Sequence, residues 1–136
     1  MSLPPWADPA TLGLATSGSG GGSDSGCGSG SDLARATAQA LGPHGALAQA
    51  DPGFVQREPQ LRLADAMARA IDDRATLVAE AGTGVGKTFA YLVPLLLAGR
   101  RALVSTATKS LQDQLFLRDL PRLRDALGLP VRLALR

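Results

Sequence analysis

This 136-residue sequence contains a single cysteine, Cys27. One thiol cannot form a disulfide bond within the chain, and it cannot supply the several thiolates of a cysteine-based metal site. Long hydrophobic runs are also missing, since the longest, Phe89–Ala98, includes Pro94 and is far shorter than the ~20 residues that a membrane-spanning helix needs. Met1–Ala10 lacks the basic start and the apolar centre of a secretory signal. These absences predict a cytoplasmic protein without a membrane segment.

Glycine and serine dominate one stretch near the start of the chain. Residues 17–31 contain 13 Gly or Ser residues in 15 positions. Such a stretch has little apolar surface to bury and much backbone entropy to lose, so we expect it to remain a coil. We therefore predict a disordered Gly/Ser-rich tail over residues 1–31 and a folded region over residues 32–136, which is long enough for a modest core.

Charge is distributed unevenly along the chain. Before Asp51 one basic residue is set against three acidic ones, whereas 13 basic and 9 acidic residues follow from Asp51 onward. The positive excess of the second part suits a polyanion such as ATP or nucleic acid, although a solvated arginine-rich surface gives the same balance.

Short apolar runs alternate with helical patterns in the second part of the chain. The runs have the length and composition of buried strands, and the patterns between them have helical spacing. One predicted helix includes Pro94, and the last predicted helix ends at Gly128. Strands that alternate with helices predict a parallel sheet in an α/β fold. The predicted strands are residues 76–79, 101–106 and 131–135, and the predicted helices are residues 32–41, 61–71, 87–97, 108–117 and 121–127.

A glycine-rich loop follows the first predicted strand and precedes a predicted helix. Residues 81–88 match the Walker A pattern of P-loop proteins, except that Ala81 replaces the first glycine. Glycines let successive backbone N–H groups point inward at phosphate oxygens, and the helix N-terminus adds further N–H groups. We predict that Lys87 binds the β- and γ-phosphates of ATP and that the Thr88 hydroxyl ligates Mg²⁺, which makes these two the predicted catalytic residues. The predicted nucleotide-binding residues of the loop are Ala81, Gly82, Thr83, Gly84, Val85, Gly86, Lys87 and Thr88.

The sequence around this loop resembles the DinG/YoaA family of DNA helicases, which are XPD-like members of superfamily 2. Three segments carry the resemblance, to the Q-motif region, to the first motif and to motif Ia, and they occur in the family's order and spacing. The resemblance implies a RecA-like ATP-binding domain, of which residues 32–136 would be the N-terminal part. The segments are Phe54–Gln60, Glu80–Pro94, and Val104–Leu115 with Arg118–Pro121 after it.

The resemblance also implies roles for residues on both sides of the loop. Gln60 would present its amide to adenine, and Phe54 or Arg57 would cover the base or the ribose. The alternative interpretation of Gln60 is a polar residue at a helix N-terminus. Motif Ia of such helicases contacts the phosphates of single-stranded DNA. Its counterparts here are Ser105, Thr106, Thr108 and Lys109, with a plain helix cap as the alternative interpretation for Thr106 or Thr108.

In this family, ATP hydrolysis drives 5′ to 3′ translocation on single-stranded DNA and duplex unwinding, in DNA repair or replication. Two other functions remain open: a nucleotide-binding module without hydrolysis, and a P-loop ATPase that does not act on DNA. The 136 residues hold no acidic Mg²⁺ box, no second RecA-like domain with its arginine finger, and no four cysteines for the family's iron–sulfur cluster. We therefore expect the chain to be an incomplete N-terminal fragment that is inactive by itself.

Overall fold

The computed structural model describes residues 31–135. Most of the predicted tail, with Cys27, lies outside these residues; Ser31 lies within them, and its hydroxyl accepts a hydrogen bond from the N–H of Ala34. No helix in residues 31–135 has the length and apolarity needed to cross a membrane. The helices are α1 (Asp32–Ala40), α2 (Ala46–Ala50), α3 (Glu58–Asp73), α4 (Lys87–Leu97), α5 (Lys109–Gln114) and α6 (Leu120–Leu127), and the π-helical turn Leu115–Asp119 joins α5 to α6.

The predicted parallel sheet is wrong for the described residues. The runs 76–79, 101–106 and 131–135 have no regular secondary structure, and no strand forms anywhere in residues 31–135. A strand satisfies its backbone groups only by pairing with a distant segment, whereas a helix satisfies them locally. The apolar side chains of these runs are accordingly left uncovered, with Val78 68% and Leu103 91% exposed. The α/β prediction is therefore replaced by packed helices joined by segments without regular secondary structure.

The core lies where α1, α3 and α4 pack together and meet α2 and α6. The predicted apolar stripe of α3 includes Ala64 and Ala68, which are both fully buried. Leu92 and Val93 of α4 and Leu123 of α6 are buried in the same cluster. Each of these three larger side chains contributes about 1.5–3 kcal/mol by leaving water. The helices, rather than a sheet, thus supply the apolar contacts of the described residues.

Helices α3 and α4 lie side by side and run in the same direction. Gln60, in the first turn of α3, contacts Gly86 at the start of α4. Beyond the other ends, Arg100 donates a hydrogen bond to the carbonyl oxygen of Ile71 at 3.3 Å. The N-termini of the two helices therefore meet at one end of the pair, where the glycine-rich loop lies.

Proline explains the π-helical turn between α5 and α6. Pro121 has no N–H to offer the carbonyl of Leu117, and its ring would clash with that carbonyl in a regular α-helix. The backbone widens instead, so that the N–H of Leu120 bonds to the carbonyl of Leu115, five residues earlier. The two helices predicted for this region are consequently one continuous helical segment, which Gly128 ends in the left-handed conformation, as predicted.

Candidate nucleotide-binding site

The nucleotide loop, residues 81–88, curls through two glycines in the left-handed region. The φ angle is 79° at Gly84 and 83° at Gly86, values that glycine adopts at little cost and other residues do not. At Gly86 space is also limiting, because a Cβ atom there would lie 2.3 Å from Nε2 of Gln60. At Gly84 the nearest atom, Nη1 of Arg57, would be 3.6 Å away. Gly84 is thus required by backbone conformation alone, and Gly86 by conformation and by close packing.

Lys87 joins the end of the nucleotide loop to its beginning. Its Nζ atom donates to the carbonyl oxygens of Ala81 at 2.7 Å and Gly82 at 2.9 Å. An ammonium group has three N–H donors, so these two bonds leave one donor. Because the Lys87 side chain is exposed, its charge and its remaining donor are open to an anion in solution.

Two side chains from the start of α3 hold the backbone of the loop from outside. Nη1 of Arg57 donates to the carbonyl oxygen of Gly84, and Nε2 of Gln60 donates to that of Gly86 at 3.0 Å. Gln60 is 3% exposed, and its Oε1 atom is buried with no hydrogen-bond partner among the described residues. Sequence reasoning missed both contacts: it assigned Gln60 to adenine or to a polar position at a helix N-terminus, and Arg57 to the base or ribose. No local pattern signals them, since the partners are 26 and 27 residues apart.

The other predicted nucleotide-binding residues lie around this framework. Phe54 is half-buried and stacks on Phe89 of α4, with ring centroids 6.4 Å apart and planes at 28°. Thr88 is half-buried in the first turn of α4 and is hydrogen-bonded to Tyr91. Burial raises the pKa of Tyr91, and the bond to Thr88 offsets part of that rise. Thr83 is exposed and Val85 half-buried.

The predicted DNA-contacting residues lie on the threonine turn, residues 105–109, at the start of α5. The Thr108 hydroxyl accepts a hydrogen bond from the N–H of Leu111 at 3.3 Å, and the Thr106 hydroxyl donates to the Thr108 carbonyl at 3.1 Å. Lys109 pairs with Asp113 of the same helix at 3.5 Å. Thr108 is therefore a helix cap, as the alternative interpretation proposed. The predicted DNA-contacting residues line a cavity of about 330 Å³; they are Ser105, Thr106, Thr108 and Lys109.

Asp119, at the end of the π-helical turn, is a buried carboxylate to which sequence reasoning assigned no role. It is 4% exposed, and it accepts hydrogen bonds from Arg118 Nε at 2.9 Å and Gln114 Nε2 at 3.2 Å. Its negative charge also contributes to the raised pKa of Tyr91. The only sequence signal was its place in the Arg118–Pro121 segment that resembles the helicase family.

Two further features bear on where a ligand binds. A larger, mainly apolar cavity of about 1030 Å³ is lined by residues of α4, the 101–106 run and the 129–135 segment, but by none of the nucleotide loop. Within residues 31–135 no group of three or more His, Cys, Asp and Glu side chains could hold a metal ion. Neither feature therefore adds a residue to the nucleotide loop.

Comparison with known proteins agrees with the sequence motifs. The family model of DEAD/DEAH box helicases matches residues 62–135, just over half of the chain. The ATP-dependent DNA helicase YoaA of Haemophilus influenzae is 46% identical over 104 residues, and YoaA of Escherichia coli is 54% identical over 85 residues. The ATP-dependent helicase DinG of Mycobacterium tuberculosis is 45% identical over 86 residues. The resemblance to DinG and YoaA helicases is thereby confirmed.

These matches cover much of this chain and little of each relative. They include 76%, 62% and 60% of the present chain, but 16%, 13% and 13% of the three relatives, in the same order. The chain thus spans about a sixth or less of the length of these helicases. No solved structure gives a significant match.

Proposed function

The chain belongs to the DEAD/DEAH box helicase family, and on that premise we propose that it binds ATP with Mg²⁺ at the nucleotide loop. Family membership implies ATP and Mg²⁺ as cofactors. The observation that carries the proposal is the convergence of Lys87, Arg57 and Gln60 on the backbone of one glycine-rich loop. We further propose that residues 32–136 are the N-terminal part of an ATP-binding domain and that residues 1–31 are a disordered tail.

The residues of the loop fit a nucleoside triphosphate. Lys87 and the free N–H groups at the start of α4 supply positive charge for phosphate oxygens. The unpartnered Oε1 atom of Gln60 is an acceptor, which suits the 6-amino group of adenine and not the 6-oxygen of guanine. Phe54, which stacks on Phe89 of α4, is proposed to cover the base or the ribose. Thr88 is the proposed Mg²⁺ ligand, and the ion when bound neutralises charge on the phosphates.

For the full-length gene product we propose ATP-driven 5′ to 3′ translocation on single-stranded DNA and duplex unwinding, in repair or replication. The support is the similarity to relatives that are named as ATP-dependent helicases. Ser105, Thr106, Thr108 and Lys109 are proposed to contact DNA phosphates, and the cytoplasm is the proposed location. Cys27 is the only cysteine here, so an iron–sulfur cluster in the gene product would need ligands from outside this chain.

The decisive experiment measures phosphate release by the full-length gene product with and without single-stranded DNA. We expect stimulation by DNA, together with unwinding of duplexes that carry a 5′ overhang and not of those with a 3′ overhang. ATP hydrolysis that ignores DNA would instead identify a P-loop ATPase that does not act on DNA. Nucleotide binding without any hydrolysis would identify a binding module.

Base selection is tested separately with Gln60→Ala. The ratio of ATP to GTP affinity should fall about 3- to 10-fold, the value of one hydrogen bond to a neutral partner. The ratio cancels any effect of the substitution on phosphate binding, because both nucleotides carry the same triphosphate. Gln49→Ala, which removes an exposed glutamine that bonds to the His44 carbonyl, is the control and should leave the ratio unchanged. An unmutated protein that uses ATP and GTP equally would contradict this role.

A further inference from the structure

We infer that Arg57 is a positioning residue of the nucleotide loop, which orients a peptide group of the loop toward phosphate instead of covering the base. The inference rests on the proposed function, because it assigns a role within the same site. It also replaces the role that the sequence resemblance left open for Arg57, which was to cover the base or the ribose.

The place of Arg57 at the start of α3 determines which loop carbonyl it binds. Arg57 directly precedes α3, and Pro59 in the first turn restricts the backbone there. From this place its Nη1 atom donates to the carbonyl oxygen of Gly84, a residue that needs its positive φ of 79°. A charged donor bound to a backbone carbonyl makes a stronger bond than a neutral donor does. Arg57 therefore holds the loop at one of its two left-handed glycines.

Peptide geometry links this contact to phosphate binding. In a trans peptide the C=O of one residue and the N–H of the next point in opposite directions. When Arg57 holds the Gly84 carbonyl toward α3, the N–H of Val85 must point away from α3. Gln60 acts in the same way at Gly86, so the N–H of Lys87 also points away from α3. The two contacts thus turn two loop donors away from α3.

The remaining carbonyl contacts of the loop complete this arrangement. Lys87 binds the carbonyl oxygens of Ala81 and Gly82, and the Gly86 carbonyl also accepts from the N–H of Ala90 in the first turn of α4. Four carbonyl groups of the loop are thus occupied, and the N–H groups are left for an anion. A loop prepared in this way requires less reordering when a polyphosphate binds.

The experiment uses inorganic tripolyphosphate, which has phosphates but neither base nor ribose. Its affinity, and those of ATP and GTP, are measured on the full-length gene product by displacement of a fluorescent ATP analogue. Arg57→Ala should weaken all three ligands by the same factor, about 3- to 10-fold. If Arg57 covers the base or ribose, ATP and GTP will weaken while tripolyphosphate is unchanged, and the inference is overturned.

Two further variants separate hydrogen bonding from charge. Arg57→Gln keeps an N–H donor without the charge, and Arg57→Lys keeps the charge without the planar guanidinium. We expect both to recover part of the affinity for tripolyphosphate. The positioning role would be overturned if Arg57→Gln binds tripolyphosphate as weakly as Arg57→Ala does, while Arg57→Lys binds it as tightly as the unmutated protein. Arg57 would then act only as a source of charge. Because the Lys and Gln variants retain the long side chain, they also keep the test open if Arg57→Ala fails to fold.

The matched control is Arg69→Ala, which removes one positive charge within α3, as Arg57→Ala removes one directly before it. Arg69 is exposed, pairs with Asp65 at 2.8 Å and lies three turns farther along the helix. It should leave the affinity for all three ligands unchanged. An unmutated protein that binds neither ATP nor tripolyphosphate would overturn the proposed function itself. Unmutated binding with an unaffected Arg57→Ala variant overturns only the inference about Arg57.

Discussion

The nucleotide loop and the threonine turn both lead into the N-terminus of a helix, but different interactions hold them. The loop is held by side chains of another helix, through contacts that span 26 and 27 residues. The hydrogen bonds made by the Thr106 and Thr108 hydroxyls of the turn join residues only two or three positions apart. Two segments with similar local chemistry therefore differ in what a substitution can disturb. A change in the loop alters tertiary packing, and a change in the turn remains local.

The side chains that hold the two regions also differ in burial. Gln60 is almost completely buried against the loop, whereas Lys109 and Thr108 on the turn are exposed. The ion pair between Lys109 and Asp113 is also largely exposed, and such pairs contribute about 0–1 kcal/mol. Little of the fold therefore depends on the turn.

The largest expected effect is a difference in ATP hydrolysis between alanine substitutions of the two lysines of the chain, Lys87 and Lys109. Lys87→Ala should reduce ATP hydrolysis by the full-length gene product at least about 100-fold, because it removes a charged donor from the reacting phosphates. The unfolding temperature should change little, since the Lys87 side chain is exposed. Lys109→Ala is the matched control and should retain hydrolysis at saturating DNA. Hydrolysis near the unmutated rate in Lys87→Ala would remove the loop from the reaction.

The second comparison uses the two left-handed glycines of the loop. Alanine costs about 1–2 kcal/mol at either position through its backbone conformation. At Gly86 the Cβ atom would also lie 2.3 Å from Nε2 of Gln60, so the amide must shift and lose its bond to the Gly86 carbonyl, which adds about 0.5–1.5 kcal/mol. Gly86→Ala should therefore weaken tripolyphosphate binding more than Gly84→Ala does. In a Gln60→Ala background the extra loss at Gly86 should disappear; if it persists, the close packing against Gln60 does not limit position 86.

Much of the helical structure could be predicted from sequence, because its signals are local. The predicted helix 87–97 has the same bounds as α4, and the predicted stop at Gly128 is correct. The sheet prediction failed because the apolar run 101–106 is strand-like in composition, while pairing depends on contacts distant in the sequence. An apolar run therefore predicts a strand only where a partner strand is present to pair with it.

The candidate site also has features that could be predicted from the sequence and features that could not. The loop and its lysine could be predicted from one short motif, and their roles in binding stay predictions. The contacts of Arg57 and Gln60 with Gly84 and Gly86 could not be predicted, because they depend on α3 and α4 lying side by side in the same direction. The burial of Asp119 was also unpredictable, since it follows from the π-helical turn that accommodates Pro121.

A smaller effect is expected for DNA binding at the threonine turn. Lys109→Ala should weaken the affinity of the full-length gene product for single-stranded DNA severalfold. It should also reduce the slope of log affinity against log salt by about 0.7, the value for one lost phosphate contact on a single strand. Titration of a labelled oligonucleotide at several salt concentrations measures both quantities. Lys87→Ala serves as the control in the absence of nucleotide, and an unchanged slope in Lys109→Ala would remove this lysine from the DNA contact.

The smallest effect concerns the helix cap and tests whether the turn is independent of the loop. Thr108→Ala removes the acceptor for the N–H of Leu111, and loss of such a cap costs about 0.5–2 kcal/mol of helix stability. Hydrogen exchange at the Leu111 amide should accelerate about 2- to 30-fold, which is that energy converted at 1.4 kcal/mol per factor of ten. Thr108→Ser keeps a hydroxyl at the same position and should exchange as the unmutated protein does. Acceleration confined to the first turn of α5 supports a locally held turn. Acceleration that extends to the amides of residues 81–88 would show that the turn and the nucleotide loop are coupled, and would end the contrast between them.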